Sequence, residues 1–213
     1  MRIARFLNNG TAKRVLSGYS TFALQSSEYY VHLGHENGDG LIGDTLERQA
    51  HFSKLKRHYE LLATCLLSCW TKLKDDEFLD ADWDIFSDRR DGIAIVSTVE
   101  KVEQLLLDLM AGFLSPKTTS EGLTTKSHGD RYHWSLDHSE VIYYEDEHPE
   151  KFDTLDIWKW KRATYMNQRE YRFILLASAS MMKIDSSVFH VEEPDRYIEQ
   201  VFLGPDVSQD EKR

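Results

Sequence analysis

Apolar positions along this chain fall into short runs, and the spacing inside each run sorts strands from helices. Residues 3–7 read as a first strand, 11–17 as a short helix capped by Thr11 and stopped by Gly18. Residues 21–24 and 28–33, aromatic and β-branched, predict two strands or one bent one. Residues 34–43 form a glycine-rich loop, and Asp44 stands where it would cap a helix over 45–59. The apolar run 61–70 suits a buried strand or a buried helix by periodicity alone. Residues 75–84 are acidic and predict a short exposed helix near Trp83 and Phe86, while 92–96 (Gly-Ile-Ala-Ile-Val) predict a buried strand. Ser97-Thr98-Val99-Glu100 has the form of a capping box. After it Val99, Val102, Leu106, Leu109, Met110 and Phe113 recur at helical spacing.

The second half is more broken. Polar residues from 115 to 133, with Pro116 and two threonine pairs, read as a long loop or insertion extending to about residue 138. Residues 141–144 predict a strand, 149–160 a helix, and 188–191 and 200–203 two further strands, the last closed by Gly204-Pro205. Between them, 161–176 changes from a mixed polar run to an apolar one. If 168–176 is extended, Gln168, Glu170 and Arg172 share one face at intervals of about 7 Å, and Arg169, Tyr171 and Phe173 take the other. That pattern describes a central strand with a polar mouth. Strands and helices mix without strict alternation, so the class is α+β: a single domain over 1–213, with a mixed or split sheet flanked by helices.

Composition narrows the function. A chain of 213 residues, 41% hydrophobic, is long enough for a core of its own. Its net charge of −10 argues against broad binding to nucleic-acid backbones. The local exception is a candidate basic patch of Lys159, Lys161, Arg162, Arg169 and Arg172. The two cysteines, Cys65 and Cys69, are poorly spaced for a disulfide and carry no zinc motif, which suits a reducing compartment. With no signal-peptide pattern and no apolar stretch of spanning length, the expected location is the cytoplasm, away from the membrane.

Most familiar chemistry fails on spacing. The acidic run starting at Asp80 imitates a calcium loop but has Ile85 where the turn needs glycine and Asp91 where the last ligand is glutamate. His32, His35 and Glu36 lack the order of a helical zinc site. The glycine-rich loop matches no phosphate-binding fingerprint, and no nucleophile elbow occurs. Glu170 and its neighbours remain. A glutamate beside an arginine on a strand is by default a structural ion pair.

Several segments, in order, resemble a bacterial family known as domain of unknown function 2971. They are Arg5-Phe6; Asp44-Thr45-Leu46-Glu47, with Thr45 in place of a proline; Ser68-Cys69-Trp70; Trp83, Phe86 and Gly92-Ile93-Ala94-Ile95; and Val141 with Tyr143. The signature Lys161, Arg162, Tyr165, Gln168, Glu170, Arg172 follows, with Gln168 in place of a glutamate, and then Ile198, Val201, Gly204 and Pro205.

That layout is similar, more loosely, to the ADP-ribosyltransferase superfamily. The resemblance implies NAD as cofactor and Glu170 as the catalytic carboxylate opposing an oxocarbenium-like ribose. It implies Gln168 orienting an acceptor, Arg5 holding the pyrophosphate with Arg172 nearby, and a Ser or Tyr role among Ser26, Ser27, Tyr29 and Tyr30. The implied function is a toxin or phage-defence effector modifying a macromolecule, protein or nucleic acid. The alternative is a non-catalytic interaction module, an antitoxin or defence-complex subunit, acting through residues 159–172. A third reading places Asp44, Glu47 and Glu170 around magnesium in a hydrolase. The transferase reading expects Glu170, Arg5 and a tyrosine in one cleft.

Overall fold

The computed structural model describes residues 1–7, 21–26, 65–74, 80–86, 90–114, 134–145, 156–177, 186–191 and 193–207. The expected helices at 11–17 and 45–59, the strand at 28–33 and the glycine-rich loop at 34–43 lie outside them, as do Ser27, Tyr29, Tyr30, Asp44 and Glu47.

The described strands are β1 (Arg2–Leu7), β2 (Thr21–Ser26), β3 (Cys65–Lys72), β4 (Ile93–Thr98), β5 (Trp134–Glu140), β6 (Ile142–Tyr144), β7 (Trp160–Arg162), β8 (Glu170–Ala177), β9 (Ser186–His190) and β10 (Gln200–Leu203). The helices are α1 (Asp80–Phe86) and α2 (Val99–Leu114). Eight strands form one sheet along the path β10-β4-β1-β3-β2-β9, with β8 between β3 and β5. β3 organises it. Its C-terminal end pairs with β1 and its N-terminal end with β2, so the sheet divides into two limbs on that side. Its other edge carries β8 from Cys65↔Leu176 to Thr71↔Glu170. All these pairings are antiparallel, whereas β6 and β7 form a separate parallel pair. The class is α+β.

Strand alternation then decides what each face carries. On one face, Ile3, Leu66, Trp70, Tyr171, Phe173 and Leu175 pack with Val99, Val102 and Leu106 of α2. These are the apolar positions whose helical spacing predicts the helix. The cap lies one residue later than the capping-box reading: Lys101 N–H donates to Thr98 Oγ1 at 3.3 Å, because the buried Ser97 hydroxyl is engaged elsewhere, donating to the Tyr197 carbonyl.

The opposite face carries Phe6, which stacks on Phe86 and meets Trp83 edge-on, both from α1. Further along it, Leu67 and Ile174 pack with Cys69 and Trp158. The expectation of an exposed acidic α1 needs correcting, since Trp83 and Asp82 are both buried. Two other expectations also change. Residues 134–138 are not loop but part of β5, whose residues Trp134–Glu140 pair along the outer edge of β8. Within 149–160 the described residues form only a 3-10 turn, Asp156–Lys159, and Trp160 already opens β7. Trp158 is drawn into the sheet packing instead of continuing a helix.

Among the described residues no helix is long and apolar enough to cross a membrane.

Candidate site around Glu170

β8 starts at Glu170, not at Gln168. Ala163–Gln168 is a 3-10 turn, and Arg169 follows in the left-handed region at φ 45°, ψ 45°. Gln168 therefore reaches Glu170 by a turn of the chain and not by strand alternation. The two still converge on one cation. Lys161 Nζ donates to Glu170 Oε2 at 2.8 Å and to Gln168 Oε1 at 2.7 Å. Arg172, two residues along β8, donates from Nε to Glu170 Oε1 at 2.6 Å and from Nη2 to Oε2 at 3.3 Å. Its Nη1 donates to the Trp158 carbonyl at 2.8 Å. Lys161, Gln168, Glu170 and Arg172 are all buried.

Burial alone would raise the Glu170 carboxyl, but the Arg172 guanidinium and the Lys161 ammonium overcome it and hold the group well below the ordinary carboxylate range. Beneath it, burial pushes the Cys69 thiol far above its usual range, and the Glu170 charge, which accepts a hydrogen bond from that thiol, pushes the same way. The thiol stays protonated and is a poor nucleophile. A carboxylate held by two cations has most of its field spent on them, which leaves little for a developing positive charge.

The other expected site residues fall elsewhere. Arg5 is not brought to Glu170. Ala4 pairs with Thr71, which pairs with Glu170, so Ala4 and Glu170 share a face and Arg5 projects from the other. There Arg5 Nη1 donates to Ser68 Oγ at 3.2 Å, an oxygen that also accepts from Trp70 Nε1 at 2.9 Å. Ser26 ends β2 opposite Leu66. The cleft expected to hold Glu170 and Arg5 together is thus divided by the sheet itself.

Nor do the cations of 159–172 form an open basic patch. Lys159 pairs with Asp137 at 2.9 Å, and Arg169 pairs with Asp82, which is 1% exposed. Arg162 donates to the Tyr165 hydroxyl at 3.3 Å and lies over that ring. With the Lys161 and Arg172 contacts, four of the five cations are engaged by carboxylates.

A chain of titratable groups escaped the sequence reading. Tyr171 Oη lies 2.6 Å from His138 Nδ1, and His138 Nε2 lies 3.3 Å from Glu103 of α2. With the proton on Nε2 facing Glu103, Nδ1 accepts from the phenol, and all three groups are satisfied. Burial raises Tyr171, and the nearby charges of Glu140 and Glu103 raise it further, so it remains a neutral donor. The available signal was the period-two placement of Leu136, His138 and Glu140, within a stretch read as loop. Among the described residues no group of three or more His, Cys, Asp or Glu is arranged to hold a metal ion.

Comparison of the chain with protein-family models, with curated protein sequences and with solved structures yields no match.

Proposed function

We propose that this chain is a non-catalytic protein-interaction module of the cytoplasm, of the antitoxin or defence-complex-subunit type. The observation that carries the reading is the engagement of Glu170: its two oxygens are taken by Lys161 and Arg172 inside the fold. A carboxylate used in this way holds structure together. The engagement of Lys159, Lys161, Arg169 and Arg172 with carboxylates inside the fold, together with the net charge of −10, favours a protein partner over a nucleic acid. The resemblance to the domain-of-unknown-function 2971 family is compatible with this role, because the signature residues Lys161, Gln168, Glu170 and Arg172 are the ones that bond to each other.

A second reading is an NAD-dependent, ADP-ribosyltransferase-like enzyme. One observation favours it: Gln168 and Glu170 converge on a single cation, as a Gln-x-Glu pair acting on one positively charged centre would. Purified protein titrated with NAD, and incubated with NAD and cell extract, separates the two. The module reading expects no thermal shift and no NAD consumption in either the wild type or Glu170→Gln. NAD turnover that disappears in a folded Glu170→Gln protein overturns it in favour of the enzyme.

A further inference from the structure

Tyr171, His138 and Glu103 form a line of three groups running from the core to the surface. The Tyr171 side chain is buried, its oxygen lies 2.6 Å from His138 Nδ1, and His138 Nε2 lies 3.3 Å from a carboxylate oxygen of Glu103. Exposure rises along the line, to 28% for the His138 side chain and 43% for that of Glu103. The three groups come from β8, β5 and α2, so tertiary packing makes the alignment and no single element's spacing does.

The phenol is an oxidisable ring kept from solvent. Trp70 is its partner across the β3–β8 ladder, which puts the two Cβ atoms roughly 5 Å apart, and Trp70 is buried as well. Phe173 closes another side, its ring centroid 5.5 Å from that of Tyr171 and 5.3 Å from that of His138. Val99, Val102 and Leu106 of α2 pack with these rings. Burial and the charges of Glu140 and Glu103 keep the phenol protonated. A phenol that loses an electron becomes a strong acid, and a radical cation is costly in such apolar surroundings. The electron therefore leaves readily only where a base at hydrogen-bond distance takes the proton, and His138 is that base.

We propose that Tyr171 is a site of one-electron oxidation, with His138 and Glu103 as its proton relay and a diffusible radical oxidant of the peroxyl class as co-reactant. The electron passes from the Tyr171 ring to the oxidant. The phenol O–H bond breaks, and its proton bonds to His138 Nδ1. The proton on Nε2 passes in turn to the Glu103 carboxylate, so the imidazole ends neutral with its proton on the other nitrogen. The products are a neutral tyrosyl radical, a protonated Glu103 that exchanges with solvent, and the oxidant reduced by one electron. The inference goes beyond the function proposed above and uses none of the residues that carry it.

Flash photolysis of the whole chain with a ruthenium(II) polypyridyl complex and persulfate, which generates a ruthenium(III) oxidant in solution, tests it. The product is followed by transient absorbance and trapped for electron paramagnetic resonance. The chain has 10 tyrosines, yet one neutral tyrosyl radical is expected to dominate and to disappear in Tyr171→Phe. His138→Gln keeps an acceptor for the phenol's hydrogen bond but supplies no base, and is expected to slow radical formation about 100-fold in a folded protein. Glu103→Gln, at a half-exposed position, is expected to slow it about tenfold, and the wild type in deuterium oxide should react about half as fast. A dominant radical that survives in folded Tyr171→Phe overturns the proposal. A folded His138→Gln protein that reacts at the wild-type rate does the same. If either of those variants fails to fold, the other two comparisons decide: rates unchanged in both Glu103→Gln and deuterium oxide overturn it.

Discussion

Lys161 and Glu170 meet at 2.8 Å from two separate sheets: the ammonium comes from the small parallel pair and the carboxylate from the main antiparallel one. Arg172 completes the arrangement on the carboxylate's other oxygen. The contact is therefore tertiary, joining elements that share no ladder.

Removing either partner leaves a buried charge poorly compensated. Glu170→Gln strands two cations, and Lys161→Met strands the carboxylate on Arg172 alone. Each is expected to destabilise the fold by about 3–5 kcal/mol. The double variant is expected to cost clearly less than the sum, measured by urea denaturation in a double-mutant cycle. Additive losses would mean that the pair contributes nothing as a pair.

The same cluster sets an acid limb. The Glu170 carboxyl is held below its unfolded value, so the folded state binds fewer protons and this stability is present above the unfolded carboxylate pKa of about 4.3. It is lost as pH falls through and below that value. Stability measured from pH 7 down to pH 3 should drop in the wild type and drop less steeply in Glu170→Gln, from a lower starting point.

Cys69 sets the opposite limb. Its thiol is raised by burial and by the Glu170 charge, so the folded state keeps a proton that the unfolded chain releases above a pKa of about 8.5. Stability is expected to fall as pH rises beyond that point, and Cys69→Ala should flatten the fall. In a Cys65→Ser background, folded protein should react with a thiol reagent far more slowly than urea-unfolded protein at the same pH.

Gly204 sits where two stretches of backbone nearly touch. Its N–H donates to the Gly92 carbonyl at 2.8 Å, and a Cβ at Gly204 would lie 2.1 Å from the Arg90 carbonyl oxygen. Backbone cannot rotate aside as a side chain does. Gly204→Ala should therefore lose about 1–3 kcal/mol or more, read as a lowered urea midpoint with an unchanged slope.

Across the α2 face, His138→Ala leaves the Tyr171 hydroxyl without its acceptor and should cost about 1–2 kcal/mol. Adding Tyr171→Phe to His138→Ala should cost little more. A full additional loss would mean that the phenol and the imidazole act independently.

What the sequence shows of this fold is what local pattern encodes. The run from Phe173, the Gly-Ile-Ala-Ile-Val strand and the helical spacing from Val99 each bury apolar area whatever their neighbours, and β8, β4 and α2 lie where those patterns predict. β5 was illegible because it lies along the outer edge of β8 with Ser135, Asp137 and Glu140 exposed, so it lacks an apolar run. The turn at Gln168 has no local signature, because nothing in Asn-Gln-Arg-Glu announces a non-glycine left-handed residue at Arg169. The separation of Arg5 from Glu170 rests on the register of β1 against Lys72 and Thr71, a long-range fact with no local signature. The Glu170–Arg172 pair, by contrast, follows from the two-residue spacing of a strand.

The position of β4 has a consequence for synthesis. It is flanked by β1, which precedes it in the chain, and by β10, translated more than a hundred residues after it, with Leu203 opposite Ile93. Until β10 leaves the ribosome, a strand made of Ile93, Ala94, Ile95 and Val96 has that edge unpaired, in a sheet whose ladders join distant parts of the chain. The nascent chain is thus most prone to aggregate between the emergence of β4 and that of β10, and chaperone occupancy on stalled chains should fall once Leu203 has emerged.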